Sequence, residues 1–268
     1  MDLRRTVEKT KAYSGYFNFP LTPTEIHFWL ISSSIVPMSS ITKFVQNLEP
    51  KETEFRKALQ NTTNNKVKFA QKLNKYAQFF PTIRLIALTG SVSVNNSKPS
   101  DDIDLMIVTY PNTLWITRPF FLIFLSLVFN RRHPGDNPAK VNNHFCPNLW
   151  LDTDSLSVPQ SRRNIYTAHE VLQVKPIFDR GHAYLDFLHS NQWTKHFLAN
   201  AYSRLTQDIS KNTRQNTKKS LLFVPLNFLM FILQYLFMLP KKTTELVSLH
   251  SAFFHKNDLS GKLERLLK

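Results

Sequence analysis

Glycine is scarce in this chain, with five in 268 residues, which excludes glycine-rich linkers and leaves no low-complexity tract or internal repeat array. Cysteine occurs once, as Cys146, so no internal disulfide can form. With no paired cysteines and no His-Glu-x-x-His pattern, the histidines offer no recognisable zinc site. Acidic residues are also few. Nineteen Asp and Glu stand against 34 Lys and Arg, a formal charge of +15 that favours polyanionic partners: nucleic acid, nucleotides or an anionic membrane surface. The first residues are charged at Arg4 and Arg5 and lack the apolar run of a signal peptide, so a cytoplasmic protein is expected, with peripheral membrane contact as the other expectation. The length suffices for a sizeable core, as one elaborated domain or a catalytic domain with helical additions.

The densest chemistry lies between Leu85 and Thr109. A short apolar run ends at Thr89-Gly90-Ser91, where Gly90 lets the backbone approach a ligand and Ser91 adds a hydroxyl and an amide. A polar loop follows, then Asp101-Asp102-Ile103-Asp104-Leu105-Met106-Ile107-Val108. Strand alternation puts Asp102 and Asp104 on one face and Ile103, Leu105 and Ile107 on the other, with Asp101 off the acidic face. Two adjacent carboxylates repel each other unless a cation sits between them, and oxygen ligands suit Mg2+.

This stretch resembles the signature of the DNA polymerase β-like nucleotidyltransferase superfamily: an apolar residue, Gly-Ser, a spacer of about ten residues, then Asp-apolar-Asp. Other segments, among them Leu21 to Leu30, Leu114 to Arg118, Asn191-Gln192-Trp193 and Phe254-His255, look like an uncharacterised group of bacterial and archaeal predicted nucleotidyltransferases. The resemblance implies an α/β (α+β) fold, with a small mixed-sheet core over residues 61–160, an N-terminal helical cap over 1–60 and a C-terminal helical region over 161–268. It implies that Asp102 and Asp104 hold Mg2+, two ions in the usual arrangement, and that Gly90 and Ser91 bind the phosphates of a nucleoside triphosphate (NTP). A third carboxylate is expected on a neighbouring strand. Asp152, at the end of the apolar run Phe145 to Leu151, is the best candidate, with Asp154 sharing its parity. The implied reaction moves a nucleoside monophosphate to a hydroxyl acceptor, a small molecule, RNA or a protein side chain, and releases pyrophosphate. Arg118 and Lys98 are cations that could neutralise leaving phosphates. The alternative is a non-catalytic nucleotide-binding or regulatory protein on the same fold, in contact with a membrane.

Around this centre the pattern is helical. Thr22-Pro23-Thr24-Glu25 forms a capping box before Ile26, Trp29 and Leu30, and a second short helix is expected from Ser40 to Leu48, suiting a winged-helix-like unit or a structural cap. A basic-faced helix or helix pair runs from Thr53 to Phe80 and stops at Pro81. Residues Leu114 to Phe129 and Ser220 to Leu239 are nearly all apolar, and the favoured reading of each is a buried helix; the rival is an in-plane membrane helix for the first and membrane contact for the second, whose length would permit a span that Pro225, Asn227 and Gln234 interrupt. Residues 163–175 read as a helix stopped by Pro176, on which His169 is a partly buried residue rather than one half of an Arg163-x5-His169 nuclease pair.

Overall fold

The computed structural model describes residues 2–137, 140–207, 221–241, 245–254 and 259–267. Lys218, Lys219, Lys242, His255 and Asp258 lie outside them.

The N-terminal segment is helical, with α1 (Leu3–Tyr16), α2 (Pro23–Phe28) and α3 (Met38–Ile41). The capping box of α2 forms as expected, Thr22 and Glu25 each closing on the other's backbone N–H. The helix expected from Ser40 to Leu48 is shorter: α3 and a single 3-10 turn reach only Phe44. Next, α4 (Pro50–Ala70) crosses the boundary drawn at residue 60 and, after a 3-10 turn, leads through α5 (Asn74–Ala77) into the sheet.

Strand β1 (Ile83–Leu88) is buried along its whole length, the apolar run Leu85 to Leu88 together with Arg84, whose guanidinium pairs with Asp186. A one-turn helix, α6 (Gly90–Ser93), and a polar loop lead to β2 (Ile103–Thr109), antiparallel to β1. β2 and β3 (Phe145–Asp152) are parallel, so the chain must cross over between them, and α7 (Leu114–Val128) makes that crossing. Then come α8 (Ile165–Leu172), β4 (Lys175–Asp179), α9 (Ala183–Ser190) and α10 (Ala199–Gln207), followed by α11 (Val224–Met238), β5 (Leu246–Val247), β6 (Ser251–Phe253) and α12 (Ser260–Leu266). The sheet order is β4-β1-β2-β3-β6-β5. The C-terminal part is therefore not only helical; it adds strands to both edges of the sheet.

Each sheet face carries its own core. Ile86, Leu88, Ile103, Leu105 and Ile107 pack with α4, α5 and α7. Leu85, Ala87, Met106, Val108 and Leu151 pack on the other side with α8, α9, α10, α12 and Tyr13 of α1. A small third cluster, Val7, Ile26, Leu30, Val36 and Ile41, holds the N-terminal helices together.

Candidate nucleotide and metal site

The site sits where β1 and β2 meet the Gly-Ser turn. Gly90 has a φ of +60°, a left-handed conformation that costs glycine little, and a Cβ there would overlap Asp104 Oδ2. The backbone therefore runs directly against the carboxylate. Thr89 N–H donates to the Asp104 carbonyl at 3.1 Å, which fixes the turn to β2.

Asp102 and Asp104 share the face of β2 predicted for them. One ligand atom from each, with Cys146 Sγ from β3, falls within 4.8 Å of the others, a cluster able to hold a cation. Burial raises the pKa of Asp104 above the ordinary carboxylate range, and the Asp102 and Glu170 charges raise it further, against the pull of Arg132. Burial, followed by the charges of Asp104 and Asp102, likewise pushes the Cys146 thiol up. The pair is thus an electrostatically unfavourable arrangement that a bound cation would relieve. The oxygen donors fit Mg2+ and the protonated, soft sulfur adds little to such a site.

Several partners were not legible in the sequence. Arg132 Nη1 donates to Asp102 Oδ2 at 2.7 Å, supplying the cation nearest the pair. Asn148 Nδ2 donates to Asp104 Oδ1, while Asn148 Oδ1 is buried with no partner. Burial raises Glu170, on α8, to about 7. The only advance signal was the Arg131-Arg132 pair; Asn148 reaches Asp104 through a bulge in β3, and Glu170 comes from a helix distant in sequence.

The structure does not bring Asp152 to the site. Along the parallel β2–β3 ladder Asp104 faces Cys146, whereas Asp152 faces Thr109. That is five residues further on, about 16 Å at the rise of a strand. There Asp152 is fully buried, accepts from His250 Nδ1 at 2.7 Å and from the Asn112 and Asp154 amides, and closes the far end of the sheet. Neither register nor parity held: the ladder skips Asn148, so Asp152 falls on the face of Ile107 and Trp150, opposite to that of Asp104, and the β3 residues beside Asp104 are Cys146 and Asn148, neither a carboxylate. Asp101, off the acidic face as expected, accepts from Ser91 Oγ at 3.0 Å and from Lys98 N–H at 2.9 Å, so the Ser91 hydroxyl braces the loop in this conformation. Arg118 is elsewhere, stacked over Phe254 beneath α11 and donating to Gln234. His169 is buried and stacked on Tyr13 with ring centroids 3.9 Å apart, while Arg163 braces the Ser157–Val158 segment, so the two form no nuclease pair.

No protein-family model matches the chain, and no curated protein matches it significantly. Among solved structures it is similar to a chain described as "Crystal structure of the toxin-antitoxin with AMP-PNP", at 17% identity and a TM-score of 0.27, over 54% of this chain and 94% of that one. At that score the likeness carries no argument, and the functional reading rests on the site itself.

Proposed function

We propose that the protein binds an NTP with Mg2+ between the Gly90-Ser91 turn and the Asp102–Asp104 pair, and transfers its nucleotidyl group to a hydroxyl acceptor with release of pyrophosphate. The observation that carries this reading is the closure of Gly90 onto Asp104: a turn that exposes backbone donors is pressed against two carboxylates that repel each other. Asp102 and Asp104 would hold the metal, which when bound neutralises phosphate charge. The Gly90 and Ser91 amides would align phosphate oxygens, and Arg132 would orient Asp102. Acceptor and base preference are left open by these residues.

A second reading, nucleotide binding without turnover, is favoured by one observation. The residues beside Asp104 on β3 are Cys146 and an amide, Asn148; neither is a carboxylate, and an amide cannot take a proton from an acceptor. One experiment separates the two. Purified protein is incubated with Mg2+ and each labelled NTP, with cell extract as acceptor pool, beside Asp102→Ala and Asp104→Ala. Pyrophosphate release that both substitutions abolish supports transfer. Mg2+-dependent nucleotide binding without release, lost in Asp102→Ala, supports the second reading, and Asn148→Asp is then expected to add turnover. No nucleotide binding at all would sink both.

A further inference from the structure

We propose that the uncovered faces of α7 and α11 form an in-plane docking surface for an anionic lipid bilayer. The inference stands independently of the nucleotide reading. It begins from a correction, because α11 is not the enclosed core helix that its composition suggests. Along α11, Leu226, Leu229, Leu233 and Phe237 are all exposed, Phe237 by 77%; along α7, Phe120, Ile123 and Leu127 are exposed, Leu127 by 80%. On each helix these positions recur at three- and four-residue steps, so each presents one apolar stripe.

The polar residues of α11 point the other way. Asn227 Oδ1 accepts the Trp115 N–H of α7 at 2.9 Å, and Gln234 Nε2 donates to the Trp115 carbonyl at 2.7 Å. The two amides, seven residues apart, mark with Met230 and Phe231 the stripe that faces the protein, and the exposed leucines lie away from it. At 15 residues α11 is about 22 Å long, less than the ~30 Å hydrocarbon core of a bilayer. No helix among the described residues is long and apolar enough to cross a membrane, so contact with lipid would be in plane.

Charge selects the occupant. Between residues 209 and 244 the sequence has no Asp or Glu, but has Lys211, Arg214, Lys218, Lys219, Lys241 and Lys242. Helix α7 has no acidic residue either and exits into Arg131-Arg132. Beside the end of α7 an open groove of about 610 Å³ has an apolar wall of Phe69, Tyr76, Leu127 and Val128 and a rim of Lys72 and Lys75. An apolar plate bordered by Lys72, Lys75 and Arg131, which donates to Ser126 of α7, matches acyl chains beneath anionic headgroups. A second copy of the chain fits badly, since apposing two such faces would bring together two molecules that each carry +15.

The test is flotation of the full chain with vesicles of phosphatidylcholine alone and vesicles rich in phosphatidylglycerol, at low and high salt, beside the double variant Leu127→Asp, Leu233→Asp. The expected result is co-flotation with the anionic vesicles, weaker by about tenfold on neutral ones and weakened by salt. The double variant should lose at least that much again while keeping its melting temperature, because both side chains are exposed. No co-flotation at low salt overturns the proposal, as does flotation indifferent to both lipid charge and the substitutions. Should the double variant not fold, the lipid and salt comparison on the unmodified chain decides alone. Light scattering without lipid supplies the remaining outcome: a dimer that the double variant splits, with no flotation, assigns the face to a second copy and overturns the lipid proposal.

Discussion

At Gly90 two demands fall on one residue, a left-handed backbone and the absence of a side chain against Asp104. Alanine there would meet both a φ of +60° and a carboxylate it must displace. The expected cost of Gly90→Ala is about 2–3 kcal/mol in urea unfolding, together with loss of Mg2+-dependent nucleotide binding in titration. A neighbouring pair of residues makes stability depend on pH in opposite directions. Burial raises Glu170 to about 7, and Asp104 and Tyr13 are the titrating groups it interacts with. The folded state therefore holds a proton that the unfolded chain releases, and stability falls as pH rises from about 5 to beyond 7. His169 is lowered by burial to about 3 and has no partner at either ring nitrogen. Its folded form rejects a proton that the unfolded chain binds below about 6.5, so stability falls as pH drops through that range. Between about pH 4.5 and 6.5 the two slopes oppose each other, and the unmodified protein shows only their difference. Unfolding free energies at pH 5 and pH 8 separate them. Glu170→Gln should gain over the parent as pH rises, on the order of 2 kcal/mol by pH 8, and His169→Phe should gain as pH falls, while Phe preserves the stack on Tyr13. Parallel pH curves for parent and variants would refute both.

Among the elements, those specified locally were legible and those specified by pairing were not. The capping box of α2 needs only Thr22 and Glu25, three residues apart, and both bonds form. What the sequence hides is Arg56, which reaches from α4 to bind Glu25 at 2.6 Å and ties the cap to the next helix. Pro176 was read as a helix stop. The helix does end, at Leu172, but Pro176 then lies in β4, an edge strand where proline is tolerated, and the strand exists through its pairing with β1. Helix α11 misled in another way. Its composition is apolar nearly all round, which reads as burial, because sequence gives no count of the faces actually covered. Its amides were read as interruptions of a span, whereas they fasten the helix. Gln234 accepts from half-buried Arg118 at 3.0 Å as well as donating to Trp115, so Gln234→Leu would leave the guanidinium without that acceptor. A loss of about 2 kcal/mol in urea unfolding is expected, with an unchanged m-value. A variant as stable as the parent would show that apolar packing alone holds α11.

The whole molecule depends on joining segments that the sequence presents in succession. The strand pair carrying Asp102 and Asp104 was readable because alternation and turn chemistry act within about 25 residues. The neighbour of Asp104 on β3 was not, because it depends on the register of a parallel ladder reached across α7 and on a bulge at Asn148 that breaks the alternation any reading by parity relies on. The same limit hid Lys66, which looked like one more charge on a basic-faced helix. Its side chain is only 2% exposed, and its ammonium donates to the carbonyls of Pro99 and Asp101 and to the side chains of Asn142 and Asn143. One residue of α4 thereby holds both the loop that enters β2 just before Asp102 and the loop that enters β3 just before Cys146. Burial lowers its pKa from the ordinary lysine value, opposed by the charges of Asp101 and Asp102. Lys66→Met keeps the apolar stem and removes the charge, leaving four oxygens to find other donors. We expect a loss of about 3 kcal/mol in urea unfolding and weaker Mg2+-dependent nucleotide binding, although Lys66 touches neither carboxylate. Lys66→Arg should not restore the binding, since a planar fork cannot reproduce the directions of three ammonium protons in a closed site. If Lys66→Met lowers stability and leaves nucleotide binding intact, the two loops hold their positions without it and the site is organised by the sheet alone.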